Sequence, residues 1–247
     1  MRYADLCDAI RKSEYKTLSF RQYLIEKPRG RFIVLRHDVD KKPLSALRIA
    51  EIEKQHGIIS TYFFRIRKRV FNPSVISKLE HMGFEIGYHY EELADTRGNL
   101  EKAILLFEEN LGKIRKVADV KTICMHGSTL SRWDNRKLWE NYDFKEFGLI
   151  GEGYLSVDFS EIAYVSDSGG HWYGGDHIKR DFPLCGKAAK LDITCTDDLI
   201  HLIVNGGCAN LYILSHPDRW NNGLAWYVEY LSKYIRNTLK IIINKII

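Results

Sequence analysis

Apolar, branched runs alternate along this chain with stretches whose apolar positions recur every three or four residues. That alternation predicts strands and helices joined as βα units around a parallel sheet. Residues 31–36 (RFIVLR) form the first strand-like run and end at His37-Asp38-Val39-Asp40. Residues 43–56 carry helical spacing, with Pro43 suited to a first turn and Gly57 to a stop. A strand over 58–64, a helix over 73–82 closed by Gly83, and a short strand over 84–88 leading to His89 follow. Residues 100–115 read as a long amphipathic helix, with Leu100, Ala103, Ile104, Phe107 and Leu111 on one face. Beyond it come a strand over 120–125 and a helix over 132–142.

From 143 to 195 the pattern weakens and glycine becomes frequent, with short strands expected near Leu149 and over 162–165. Thr196 and Asp197 open a helix over 199–204, residues 211–215 form a last strand, and 222–240 a closing helix. No linker, repeat or low-complexity tract divides the chain, so residues 1–247 are expected to form one domain. About seven βα-like units predict an α/β fold, a distorted (β/α) barrel of about seven parallel strands, with an open doubly wound sheet as the alternative.

Composition adds little to this picture. Of 247 residues, 45% are hydrophobic and 28% charged, as in ordinary globular domains. Fourteen Tyr and five Trp suit sugar faces and core packing alike. The net charge is +5, densest at Arg65-Ile66-Arg67-Lys68-Arg69. Such a run attracts anionic ligands or forms a solvated surface. No nucleic-acid-binding signature accompanies it, and nucleic acid is not an expected partner. Five cysteines at no metal-binding spacing read as reduced thiols. With no apolar signal core and no span-length apolar run, a cytoplasmic protein without membrane contact is expected. The oligomeric state is left open.

The polar residues fall at informative places. Asp38 and Asp40 close the first strand, His89 the third, His126 the strand over 120–125, Asp167 the one over 162–165, and His216 the last. In a parallel barrel all strand C-termini open onto one face, where active sites collect. Residues two apart on a strand share a side, which brings Asp38 and Asp40 into one pocket. Carboxylates that close disfavour joint ionisation. A divalent metal on one relieves the conflict and leaves the other as a base. The alternative is an Asp-x-Asp loop that caps the following helix. Ser128, His126 and Asp134 invite a Ser-His-Asp reading, but three residues crowded into one loop rarely reach triad geometry.

Arg36-His37-Asp38-Val39-Asp40 with Thr61-Tyr62-Phe63-Phe64 resembles the first motif of the polysaccharide deacetylases, the NodB-homology group. Gly83-Phe84-Glu85-Ile86-Gly87-Tyr88-His89 resembles the second, and Leu214-Ser215-His216-Pro217 the last, so the likeness spans residues 31–220. The resemblance implies a distorted barrel with a divalent metal, usually zinc, that hydrolyses N- or O-acetyl groups on sugars. It implies Asp38 as general base, Asp40 and His89 as metal ligands and His216 as general acid.

Two departures stand out. The family's second motif supplies two histidines four residues apart, and Leu93 occupies the second place here. His126, or alternatively Glu91, is the expected third ligand. The family's Arg–Pro motif is missing, leaving Arg36 or Arg132 to orient the base. Asp167, Trp172 and Trp220 are the expected substrate contacts, since rings stack on sugar faces while charged groups bind hydroxyls. The expected function is deacetylation of an acetylated sugar or glycan precursor. Hydrolysis of another amide on the same fold, and a carbohydrate-binding relative without metal, are the alternatives.

Overall fold

The structure, a computed structural model, describes residues 2–127, 131–168, 172–174, 191 and 193–220. The strand-like runs form β1 (Lys16–Leu18), β2 (Phe32–Val39), β3 (Thr61–Phe64), β4 (Glu85–Tyr90), β5 (Thr122–Met125), β6 (Gly151–Glu152), β7 (Ala163–Ser166), β8 (Tyr173–Gly174) and β9 (Asn210–Ser215). They join one sheet of order β6-β5-β4-β3-β2-β9-β7-β8, in which the seven strands from β6 to β7 are all parallel. Only β8 runs antiparallel, and β1 and β3 pair with successive stretches of the same β2 edge.

The sheet is curled. Three strands separate β2 from β6, which on a flat sheet sets them about 19 Å apart at ~4.8 Å per step. Yet Arg36 Nη2 of β2 donates to the Tyr154 hydroxyl just after β6 at 3.0 Å. Tyr154 in turn sits with its hydroxyl 3.4 Å from that of Tyr164 on β7, bridging the two ends of the parallel run. This is the expected distorted barrel, open between β6 and β7 among the described residues.

Helices α1 (Arg2–Lys12), α2 (Phe20–Glu26), α3 (Pro43–Gln55), α4 (Pro73–His81), α5 (Glu92–Asp95), α6 (Leu100–Arg115) and α7 (Thr196–Val204) complete the architecture. The helices after β2, β3 and β4 follow the predicted spacing, Asn72 and Asn99 capping α4 and α6 through their side chains. The stretch read as a helix over 132–142 is instead a 3-10 turn, Asn135–Glu140. The N-terminal α1, β1 and α2 were not expected as separate elements. The expected closing helix over 222–240 lies outside the described residues, as does Ser128.

Alternation sorts the strand residues onto two faces. Phe63, Cys124, Tyr164 and Tyr212 pack inward with Arg36. On the outer face of β2, His37 meets Glu53 of α3, a fully buried carboxylate. Glu53 also accepts from Tyr3 at 2.5 Å, Tyr62 at 2.6 Å and Ser60 at 2.7 Å, with His37 Nε2 at 2.8 Å. A charge removed from water needs such a complete set of donors. The far end of the barrel is closed by α2, whose Phe20 and Arg21 N–H groups donate to Thr61 and Glu85.

Gly87 of β4 lies under the Phe63 ring, and an added Cβ would stand 2.3 Å from it. Gly87→Ala is therefore expected to destabilise the protein by about 1–3 kcal/mol through overpacking, measured by chemical denaturation. A Phe63→Leu partner change should recover part of that loss. An unchanged Gly87→Ala would contradict the packing described.

Candidate active site

Parallel register carries the C-terminal ends of β2, β4, β5, β7 and β9 to one rim. Asp38 lies within β2 and Asp40 one residue beyond it, because β2 runs three residues further than the apolar run suggested. His89 sits inside β4, while His126, Asp167 and His216 directly follow β5, β7 and β9.

Asp38 is 3% exposed, and both its oxygens accept from the fully buried Arg36, Oδ1 from Nε at 2.8 Å and Oδ2 from Nη2 at 2.7 Å. This is a bidentate pair. Burial pushes the Asp38 pKa up, but Arg36, with His89 and His216, outweighs it and holds the carboxyl below its usual range. Of the two arginines expected to orient Asp38, Arg36 is the one in contact. Arg132 instead lies over the Trp133 ring, 4.8 Å from its centre.

Asp40 faces three imidazoles. Its Oδ1 is 3.5 Å from His89 Nε2 and 3.6 Å from His126 Nε2, and its Oδ2 is 3.8 Å from His216 Nε2. These separations are too long for hydrogen bonds, and Oδ1 is shielded from solvent with no hydrogen-bond partner. Burial raises the Asp40 pKa, yet the surrounding imidazoles hold it well below the usual range. His126 is likewise raised to about 9, the Asp40 and Glu91 charges outweighing burial.

The far nitrogen of each ring meets an acceptor. His89 Nδ1 lies 2.9 Å from the Cys124 carbonyl, and His216 Nδ1 2.6 Å from Asp167 Oδ1. His126 Nδ1 is 3.0 Å from Glu91 Oε2, although off the line of a well-formed hydrogen bond. An acceptor at Nδ1 keeps a proton there and makes Nε2 the nitrogen that each ring presents inward.

The two distances from Asp40 Oδ1 suit a divalent ion, and the donors are of the right chemistry for one. Bonds of ~2.0–2.1 Å to tetrahedral zinc set neighbouring donors about 3.4 Å apart, close to the separations of Oδ1 from the His89 and His126 nitrogens. Among the described residues, the group whose ligand atoms all lie within 4.8 Å of one another is Asp38, His89 and Cys124, and not Asp40, His89 and His126. Both Asp38 oxygens already accept from Arg36, so the Asp40 side of His89 is the better holder.

Other expected site residues are placed differently. Glu91 accepts from Arg65 and Arg67 through both oxygens and flanks His126 from behind. Asp167 accepts from His216 and from Arg219 at 2.9 Å, so it backs the histidine instead of reaching toward substrate. The rings of Trp172 and Trp220 are 5% and 9% exposed and pack 5.9 Å from each other, Trp220 also 4.7 Å from Tyr3. Their indole N–H groups donate to Thr196 and Ser215. They serve as core, because a ring buried on both faces has none left for a sugar. Leu93 is buried as well. Asp134 binds Arg136 and caps the 3-10 turn, which removes it from any triad. Arg65 and Arg67 were read only as part of a basic run. The signal that could have marked them is their spacing past β3, which sends both to one side.

No family model matches the chain, and no curated protein matches it. Among solved structures, the chain is similar to the Xyl-CE4 domain of a multidomain xylanase from the hindgut metagenome of Trinervitermes trinervoides. Identity is 14%, coverage 86% of this chain and 84% of that one, and the TM-score 0.42. It is also similar to a Streptococcus mutans CE4 esterase at 14% identity, covering 89% of this chain and 85% of that one, with a TM-score of 0.46. No helix among the described residues is long and apolar enough to cross a membrane.

Two predictions follow from these pairs. Removing one partner of a buried ion pair strands the other, so Arg36→Leu should cost about 3–5 kcal/mol. The double change with Asp38→Leu should recover much of it, measured by denaturant melts, and strict additivity would contradict the pairing. Burial raises the Asp167 pKa, but Arg219 and His216 bring it down to about 2. A depressed carboxylate stabilises the fold above its unfolded value of ~3.9 and loses that contribution as pH falls through its folded one. The metal-free wild type should lose thermal stability below pH ~4 more steeply than Asp167→Asn, and equal slopes would contradict the pairing.

Proposed function

We propose that this protein is a metal-dependent hydrolase that removes an N- or O-acetyl group from a carbohydrate, with residues 1–247 forming one catalytic domain. The observation that carries the reading is the shielded, unpartnered Asp40 Oδ1 facing His89 and His126 beside the Arg36-bound Asp38. Similarity of the Asp38-x-Asp40, His89 and His216 motifs to the polysaccharide deacetylases supports the same reading.

Asp40, His89 and His126 would hold the ion, most simply zinc given their nitrogen and oxygen donors. When bound, such an ion polarises an acyl carbonyl and lowers the pKa of water. Asp38 accepts the proton that the attacking water gives up. Arg36 holds that carboxylate in one orientation and keeps it ionised at neutral pH. His216, its Nδ1 held by Asp167, presents Nε2 to the rim and protonates the departing amine or alkoxide. The buried acids and rings exclude bulk water from the floor of the site.

Protein purified without chelator should carry about one equivalent of a divalent ion, strongly reduced in Asp40→Ala and His89→Ala. Asp38→Asn should retain the ion while acetate release from acetylated sugars falls by about 10²–10⁴-fold. An Asp38→Asn variant with full turnover would overturn the base assignment. Wild-type protein that neither contains nor takes up a divalent ion would overturn the hydrolase reading.

A further inference from the structure

We propose that Glu91 is a positioning residue that fixes the tautomer and aim of His126, so that the His126–Glu91 pair stands in for the histidine missing at Leu93. The inference rests on the metal-dependent reading above and concerns how its third ligand is held.

His126 follows β5 and has its backbone already fixed. Its N–H donates to the Tyr90 carbonyl at 2.7 Å, and its carbonyl accepts from Asn135 at 2.8 Å. The ring therefore keeps one main freedom, rotation about its side-chain bonds, and either nitrogen could be presented to Asp40. Glu91 removes the choice. Its Oε2 stands 3.0 Å from Nδ1, off the line of a well-formed hydrogen bond, and the negative charge there favours a proton on Nδ1 and so turns Nε2 toward Asp40 as the ligating atom.

Glu91 is itself held from the other side. Arg65 donates to Oε1 at 2.8 Å and to Oε2 at 2.6 Å, and Arg67 Nε donates to Oε1 at 2.6 Å. Arg67 also binds Asp95 of α5 at 2.5 Å, tying the clamp to the next helix. A carboxylate with two guanidiniums on it must break charge-assisted bonds to swing inward and ligate directly. The clamp therefore assigns Glu91 to support and His126 to ligation.

The test measures zinc affinity by competition with a chromophoric chelator, the visible absorption of the cobalt-loaded protein, and the thermal midpoint of the metal-free protein. Glu91→Ala should weaken zinc binding by about 10- to 100-fold and alter the cobalt bands, a loss larger than the fall in the metal-free midpoint that freeing Arg65 and Arg67 accounts for. Glu91→Gln keeps a neutral acceptor at Nδ1 and should fall between Glu91→Ala and wild type. It also carries the test if the alanine variant does not fold. A folded Glu91 variant whose zinc affinity and cobalt bands match a metal-binding wild type overturns this inference alone. A wild type that binds neither ion overturns the metal reading with it.

Discussion

A charge withdrawn from water survives only beside a partner, and the rim of this barrel gathers several such pairs. Arg36 meets Asp38 two residues on along β2, Asp167 meets His216 and Arg219, and Glu91 meets Arg65, Arg67 and His126. Nearly every one of these pairs joins two different strands or their loops, so the same contacts that neutralise the charges also fix the strand ends. Asp40 stands apart from this pattern. Its shielded Oδ1 has imidazole nitrogens nearby but none at hydrogen-bond distance. That unmet acceptor is the physical ground for proposing a cation in the site.

The outer face of β2 repeats the same economy without chemistry. His37 points away from Asp38 into the Glu53 cluster, and its Nδ1 lies 3.3 Å from Ser215 Oγ, next to His216. Trp220 donates to the same hydroxyl. The strands that present Asp38 and His216 are thus locked from behind by a fully buried polar network. Replacing such a network by apolar residues often leaves stability unchanged. Its presence behind the rim is consistent with a need for fixed strand positions.

The barrel was legible in the sequence because its central strands are buried on both faces and so read as continuous apolar runs, as in residues 31–36 and 211–215. Short elements were not. β1 and α2 contain three and seven residues, too few for periodicity; β1 is held by pairing with β2, and α2 by Thr61 and Glu85 far along the chain. Positions at strand ends foretold that Asp38, Asp40, His89, His126 and His216 share one rim. Which acid backs which histidine was not visible, because His216 and Asp167 lie 49 residues apart and meet only through the pairing of β7 with β9. Trp172 and Trp220 misled because an aromatic at a rim loop has the same local signature whether it faces a ligand or the core.

The most direct measurement is anomalous diffraction at the zinc edge from crystals grown without chelator. The expected result is one peak within about 2.2 Å of an Asp40 oxygen and of the Nε2 atoms of His89 and His126. A peak held by Asp38 and Cys124, or no peak after zinc is added, would contradict the account.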